Sequence, residues 1–116
     1  LRESDGLAMS SRNSYLKGSE RKAAPVLYKA LCRAKDAYEA GERNAETLRL
    51  IMKKTVEEEP LASLQYASCA HPDTLQELSQ MEDNALFSLA VKLGTTRLID
   101  NFLLEKGIWF TGDGVR

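Results

Sequence analysis

Ser10, Ser11 and Arg12 set two hydroxyls and a guanidinium in three consecutive positions, shortly after the flexible pair Asp5-Gly6 and before any clear helix. Ser hydroxyls donate to phosphate oxygens, and the planar Arg fork matches a phosphate or pyrophosphate bidentately. Gly6 lets the backbone bend without a Cβ penalty, so the amides that follow can also turn toward an anion. Such a loop positions and neutralises and forms no covalent bond itself. The chemistry it can assist is one in which negative charge grows on a phosphate or pyrophosphate group. A plainer reading stands beside it: Ser10 and Ser11 are turn residues, one of them caps a short helix, and Arg12 is solvated.

The other candidates carry less. His71 is the only histidine and precedes Pro72 in a turn, with no second His or spaced carboxylate pair to complete a metal site. Glu57, Glu58 and Glu59 read as a solvated helix end. Asp100, beside Asn101 in a strand, reads as a structural group hydrogen-bonding across a hairpin. With one His and no local partner, a Ser or Cys hydrolase finds no nucleophile–base pair. Cys32 and Cys69 are too few and too far apart for a disulfide framework or a zinc site. They read as reduced, buried side chains, which points to a reducing, cytoplasmic setting.

The elements that must position Arg12 follow from the pattern. Residues 1–18 read as an entry strand and the loop. Ser19 is a candidate helix N-cap, with Glu20 in the first turn. Pro25 lacks a donor and marks the first turn of the main helix, or a kink after a short leading one. Leu27, Leu31, Ala34 and Tyr38 then form one apolar stripe, which Gly41 stops. Asn44 caps a second helix that buries Leu48, Ile51, Met52 and Val56 and leaves Arg49, Lys53, Lys54 and Glu57 wet. The second half shifts to strand periodicity: one strand around Leu64–Cys69, then Ala85–Leu93 and Arg97–Leu104 as a hairpin through Gly94. The fold class is α+β, two main helices followed by a small antiparallel sheet of about three strands. Residues 19–106 form the domain, and 107–116 read as a loose tail.

The chain has 116 residues, 16 basic and 17 acidic, interleaved to a net charge of −1. Its 43% hydrophobic and 28% charged content is that of an ordinary globular domain, and the charge balance argues against a nucleic-acid or anionic-membrane surface. No apolar run approaches the roughly 18 residues a membrane helix needs. With Leu1 entering a charged segment and no targeting pattern, the chain reads as part of something longer.

The run Arg2-Glu3-Ser4-Asp5-Gly6-Leu7-Ala8-Met9-Ser10-Ser11-Arg12-Asn13, followed by Tyr15-Leu16, resembles the pantothenate synthetase (pantoate–β-alanine ligase) family. That family carries D-G-L-A-[LM]-S-S-R-N-x-Y-L where its two domains join. Leu93-Gly94-Thr95-Thr96-Arg97-Leu98-Ile99-Asp100-Asn101 is similar to its closing L-G-x-x-R-L-I-D-N. Ala24-Pro25-Val26-Leu27-Tyr28 and Ala40-Gly41-Glu42-Arg43 fit its first C-terminal helix and the turn after it.

The resemblance implies a C-terminal lid domain, covering positions 1 to about 105, that closes over an N-terminal Rossmann-like nucleotidyltransferase domain. It implies a ligase joining pantoate to β-alanine through pantoyl adenylate, with ATP split to AMP and pyrophosphate. Mg²⁺ is expected with ATP, with no ligand assigned in this chain. Met9, Ser10, Ser11 and Arg12 are implied to contact ATP, as the counterpart of the K-M-S-K-S loop of class I aminoacyl-tRNA synthetases. Leu1 stands near the adenine, where Val is common in relatives. The histidine motif and the pantoate and β-alanine pockets belong to the other domain, so the fragment is expected to be inactive alone and monomeric, the full enzyme a homodimer. The alternative is a free-standing protein-interaction module without catalysis.

Overall fold

The computed structural model describes residues 1–112. Three helices, α1 (Ser19–Ala23), α2 (Val26–Glu39) and α3 (Ala45–Glu57), precede four strands, β1 (Ala62–Ala70), β2 (Ala85–Leu93), β3 (Thr96–Glu105) and β4 (Ile108–Phe110). The strands form one antiparallel meander in the order β1-β2-β3-β4. Two principal helices on a small antiparallel sheet bear out the α+β reading.

Local chemistry explains most boundaries. Pro25 is the N-cap of α2, where its missing N–H costs nothing and its fixed φ suits the first turn. The helix ends at Glu39, and Gly41 follows at φ 115, a left-handed value that favours glycine. Asn44 caps α3 by accepting from the Thr47 amide at 3.2 Å. Ser19 does not act as a cap: Gly18 holds that position at φ 54, and Ser19 is already the first helical residue.

The inward face of the sheet carries Ala85, Phe87, Leu89, Val91 and Leu93 from β2, facing Leu104, Phe102, Asp100, Leu98 and Thr96 across the β2–β3 register. Against it pack Leu27, Ala30, Leu31 and Ala34 of α2 and Leu48, Met52 and Val56 of α3, all buried in one cluster. Removing such apolar area from water is the main favourable term of folding. Arg49, assigned to the wet face of α3, instead reaches across to the carbonyls of Cys69 and Leu78 and to Glu46 and Glu77. It thereby ties α3 to β1 and to the irregular segment after it.

The sheet has four strands where about three were expected, and the loose tail at 107–116 is corrected accordingly. Ile108–Phe110 pairs with Leu103–Glu105. Trp109 turns inward to make edge contacts with Phe87 at 5.2 Å and Tyr38 at 5.7 Å. The apolar burial of one indole anchors a strand too short to announce itself by periodicity. Positions 113–116 of the expected tail lie outside the described residues.

Candidate phosphate-binding site

Residues 1–18 hold a single bridge, Arg2 to Ala8, rather than a regular strand. The chain turns back on itself between them, with Glu3 N donating to Leu7 O at 2.7 Å and Gly6 N to Glu3 O at 3.0 Å. Gly6 sits at φ 94, and a Cβ there would stand 2.2 Å from Cδ2 of Tyr28, so the position admits only glycine without displacement. Asp5 braces the outside of the turn through Arg21 at 2.7 Å, and that hydrogen bond holds its carboxyl below the usual range. Leu7 is buried, Asn13 Nδ2 donates to Ala8 O at 3.0 Å, and Met9 N donates to Leu1 O at 3.1 Å.

From this support Ser10 leads into a short 3-10 helix, Ser11–Tyr15. The Ser10 hydroxyl oxygen caps it, accepting from the Arg12 amide at 3.1 Å. Capping uses the oxygen as acceptor and leaves the hydroxyl proton for an incoming phosphate oxygen, so the two readings of this serine are compatible. Arg12 is exposed, and its Nη1 donates to the Arg97 carbonyl at a long 3.3 Å. An exposed contact of that length to a neutral acceptor is readily exchanged for the shorter charge-assisted bond a phosphate offers.

Beneath Arg12 lies a cleft of about 310 Å³, walled by Leu7–Ser10, Arg12 and Asn13 on one side and by the start of β3, Arg97–Asp100, on the other. Asn13 Oδ1, buried beside it, has no hydrogen-bond partner among the described residues. The cleft brings together Met9, Ser10 and Arg12. Ser11 is exposed at the first position of the 3-10 turn and does not line it. Leu1, 69% exposed, lines a neighbouring hollow that shares Met9 as its wall.

Asp100 requires a correction. Its carboxylate does not bond across the hairpin: it takes Nη1 and Nη2 of Arg2 at 2.6 and 2.9 Å. Asp100 is an inward-facing position of β3, and its side chain and that of Arg2 are 6% and 5% exposed. Arg2 also donates to Gly6 O at 2.9 Å and Thr111 O at 2.7 Å, with its Cζ 4.7 Å from the centre of the Tyr28 ring. Sequence inspection passes over Arg2 as a residue with a task of its own, because its carboxylate partner stands 98 positions away.

His71 is a turn residue: its Nδ1 accepts from the amides of Asp73 and Thr74. Among the described residues no group of three or more His, Cys, Asp or Glu is arranged to hold a metal ion. Near the loop Asp5 and Asp100 are engaged by Arg21 and Arg2, and among the described residues no carboxylate cluster fits Mg²⁺. Nor is any helix of the described residues long and apolar enough to cross a membrane.

Comparison with known proteins places these features in a family. The family model described as pantoate-beta-alanine ligase matches residues 1–103. A pantothenate synthetase from Chloroflexus aurantiacus is 57% identical over 106 residues, 90% of this chain and 38% of that protein. One from a Thermoanaerobacter species is 52% identical over 108 residues, 93% of this chain and 38% of the relative. Two crystal structures of the Thermus thermophilus pantothenate synthetase superpose with TM-scores of 0.82 and 0.81 at 37% and 40% identity, covering 87% of this chain and 36% of theirs. The chain thus spans less than two-fifths of the length of these relatives. From the loop at Ser10–Arg12 to the hairpin that carries Asp100, it belongs to the pantoate-beta-alanine ligase family.

Proposed function

We propose that this chain is the C-terminal lid domain of an ATP-dependent ligase that condenses pantoate with β-alanine. In the first half-reaction a pantoate carboxylate oxygen attacks the α-phosphorus of ATP. The bond to the bridging oxygen breaks, and pyrophosphate leaves with the electron pair. In the second, the β-alanine amine attacks the acyl carbon of pantoyl adenylate, giving pantothenate and AMP. This chain contributes to the first step. Arg12 and the Ser10 hydroxyl, with Ser11 and Met9 alongside, hold the triphosphate and neutralise the charge gathering on the pyrophosphate.

The observation that carries this reading is an exposed guanidinium at the rim of a cleft, tethered among the described residues only by a long bond to a backbone carbonyl. Family membership supports the choice of substrates. The partner is the preceding Rossmann-like domain of the same polypeptide, which holds the adenine, pantoate and β-alanine and makes the homodimer contact. Leu1 stands at the adenine side. Mg²⁺ would accompany the ATP, with no ligand assigned in this chain. Cys69 is a buried free thiol, which suits a cytoplasmic enzyme.

The test uses the full-length protein. Pantoate-dependent ATP–pyrophosphate exchange is expected, and Arg12→Ala lowers its rate by about 10²–10³, the scale of one lost charge-stabilising donor. KM for β-alanine changes far less. Equal loss in both half-reactions contradicts the assignment and makes Arg12 a folding residue.

A further inference from the structure

Arg2 joins more separate parts of the molecule than any other described side chain near the cleft. Its guanidinium forks onto Asp100 of β3, reaches the Gly6 carbonyl in the turn, and donates through Nε to Thr111 beyond β4. Its plane lies against aromatic carbon: Cζ is 4.7 Å from the centre of Tyr28 on α2 and 5.3 Å from Phe102 on β3. Those two rings meet edge to face at 5.9 Å, so the platform is itself fixed. Gly6 adds the missing piece, because only its lack of a Cβ lets the turn lie against the Tyr28 ring.

The consequence reaches Arg12. The backbone of residue 2 bridges to Ala8, and Ala8 O holds Asn13 across the loop. On the other wall, Asp100 is three positions along β3 from Arg97, whose carbonyl receives the Arg12 guanidinium. The Arg2–Asp100 pair therefore locks together the two walls between which Arg12 is set. A lysine at position 2 would keep the charge and lose the fork, the stacked plane and the simultaneous reach to several acceptors.

We propose that Arg2 is a positioning residue for phosphate recognition, acting through Arg12 by clamping the loop to β3 with Asp100. This rests on the reading of Arg12 given under Proposed function. A displacement of about 1 Å at a reacting group can cost on the order of 10²-fold in rate, so a remote clamp has leverage.

The experiment is a double-mutant cycle in the full-length protein, read by pantoate-dependent ATP–pyrophosphate exchange. Arg2→Lys is expected to lower exchange by about 10–100-fold with Arg12 present and by less than about 2-fold in the Arg12→Ala background. The thermal midpoint is measured alongside. A loss that is the same in both backgrounds overturns the proposal, because it shows Arg2 acting on folding or on another group. If Arg2→Lys does not fold, Asp100→Asn, which keeps an acceptor of the same shape, is carried through the same cycle with the same two outcomes. An unmodified enzyme with no exchange at all overturns the functional reading itself and this proposal with it. Exchange that is present but additive between the two sites overturns this proposal alone.

Discussion

A guanidinium on an exposed turn contributes little to folding. Even ion pairs at the surface are worth about 0–1 kcal/mol, and among the described residues the Arg12 side chain has only a carbonyl at 3.3 Å. Under the proposed function its value lies in what it can exchange that contact for. Arg2 is the opposite case: buried, bidentate and stacked, it is committed to structure. The Ser10 cap, the exposed position of Arg12 and the turn at Gly6 were legible in the sequence because hydroxyl, guanidinium and glycine chemistry is local. The Arg2–Asp100 pair was not, since only the folded chain brings those residues together. Cys69 stands between the two: its burial was readable from its residue type, and the fold adds the consequence, since burial pushes its pKa up to about 12 from an ordinary 9.0. The native state therefore keeps a proton that the unfolded chain releases, so stability is intact below about pH 9 and falls as pH rises toward 12. The expected slope is up to roughly 1.4 kcal/mol per pH unit in that window. Urea titrations at several pH values check it: Cys69→Ala should lack that component of the slope, and an identical slope in both proteins refutes the burial argument.

At the scale of elements, the hairpin turn from Arg2 to Ala8 is the part most exposed to a small change. Gly6→Ala would force a left-handed φ of 94 on a residue with a Cβ and drive that atom to 2.2 Å from the Tyr28 ring. The backbone term alone costs about 1–3 kcal/mol. Gly107 offers the control, at φ 78 with nothing within 4 Å of an added methyl group. Gly6→Ala should lower the denaturation midpoint more than Gly107→Ala and reduce adenylation as well, because Tyr28 is the surface Arg2 lies on. Equal destabilisation by the two would show that the ring contact does not matter. The α2 and α3 stripes, the Asn44 cap and the β2–β3 hairpin were readable from spacing, since each satisfies itself within a short stretch of chain. β4 was not: three residues show no period, and its stability comes from pairing with Leu103–Glu105 and from Trp109 meeting Phe87 and Tyr38. The cap of α1 was misplaced by one residue because a glycine at positive φ competes with serine for that role.

For the whole molecule, the helices pack on one face of the sheet with the Ser10–Arg12 loop at one rim, and the relatives are more than twice as long as this chain. In the proposed reaction a nucleotide is presented to that rim by the rest of the polypeptide. This packing answers for the placement of one guanidinium, with Arg2 and Asp100 holding both walls. The most direct measurement is a crystal structure of the full-length protein with a non-hydrolysable ATP analogue and pantoate. The account predicts the Arg12 guanidinium released from the Arg97 carbonyl and within about 2.7–2.9 Å of a phosphate oxygen, while the Arg2–Asp100 pair keeps its present geometry. A closed complex that leaves Arg12 on the Arg97 carbonyl, with every phosphate oxygen out of its reach, contradicts it.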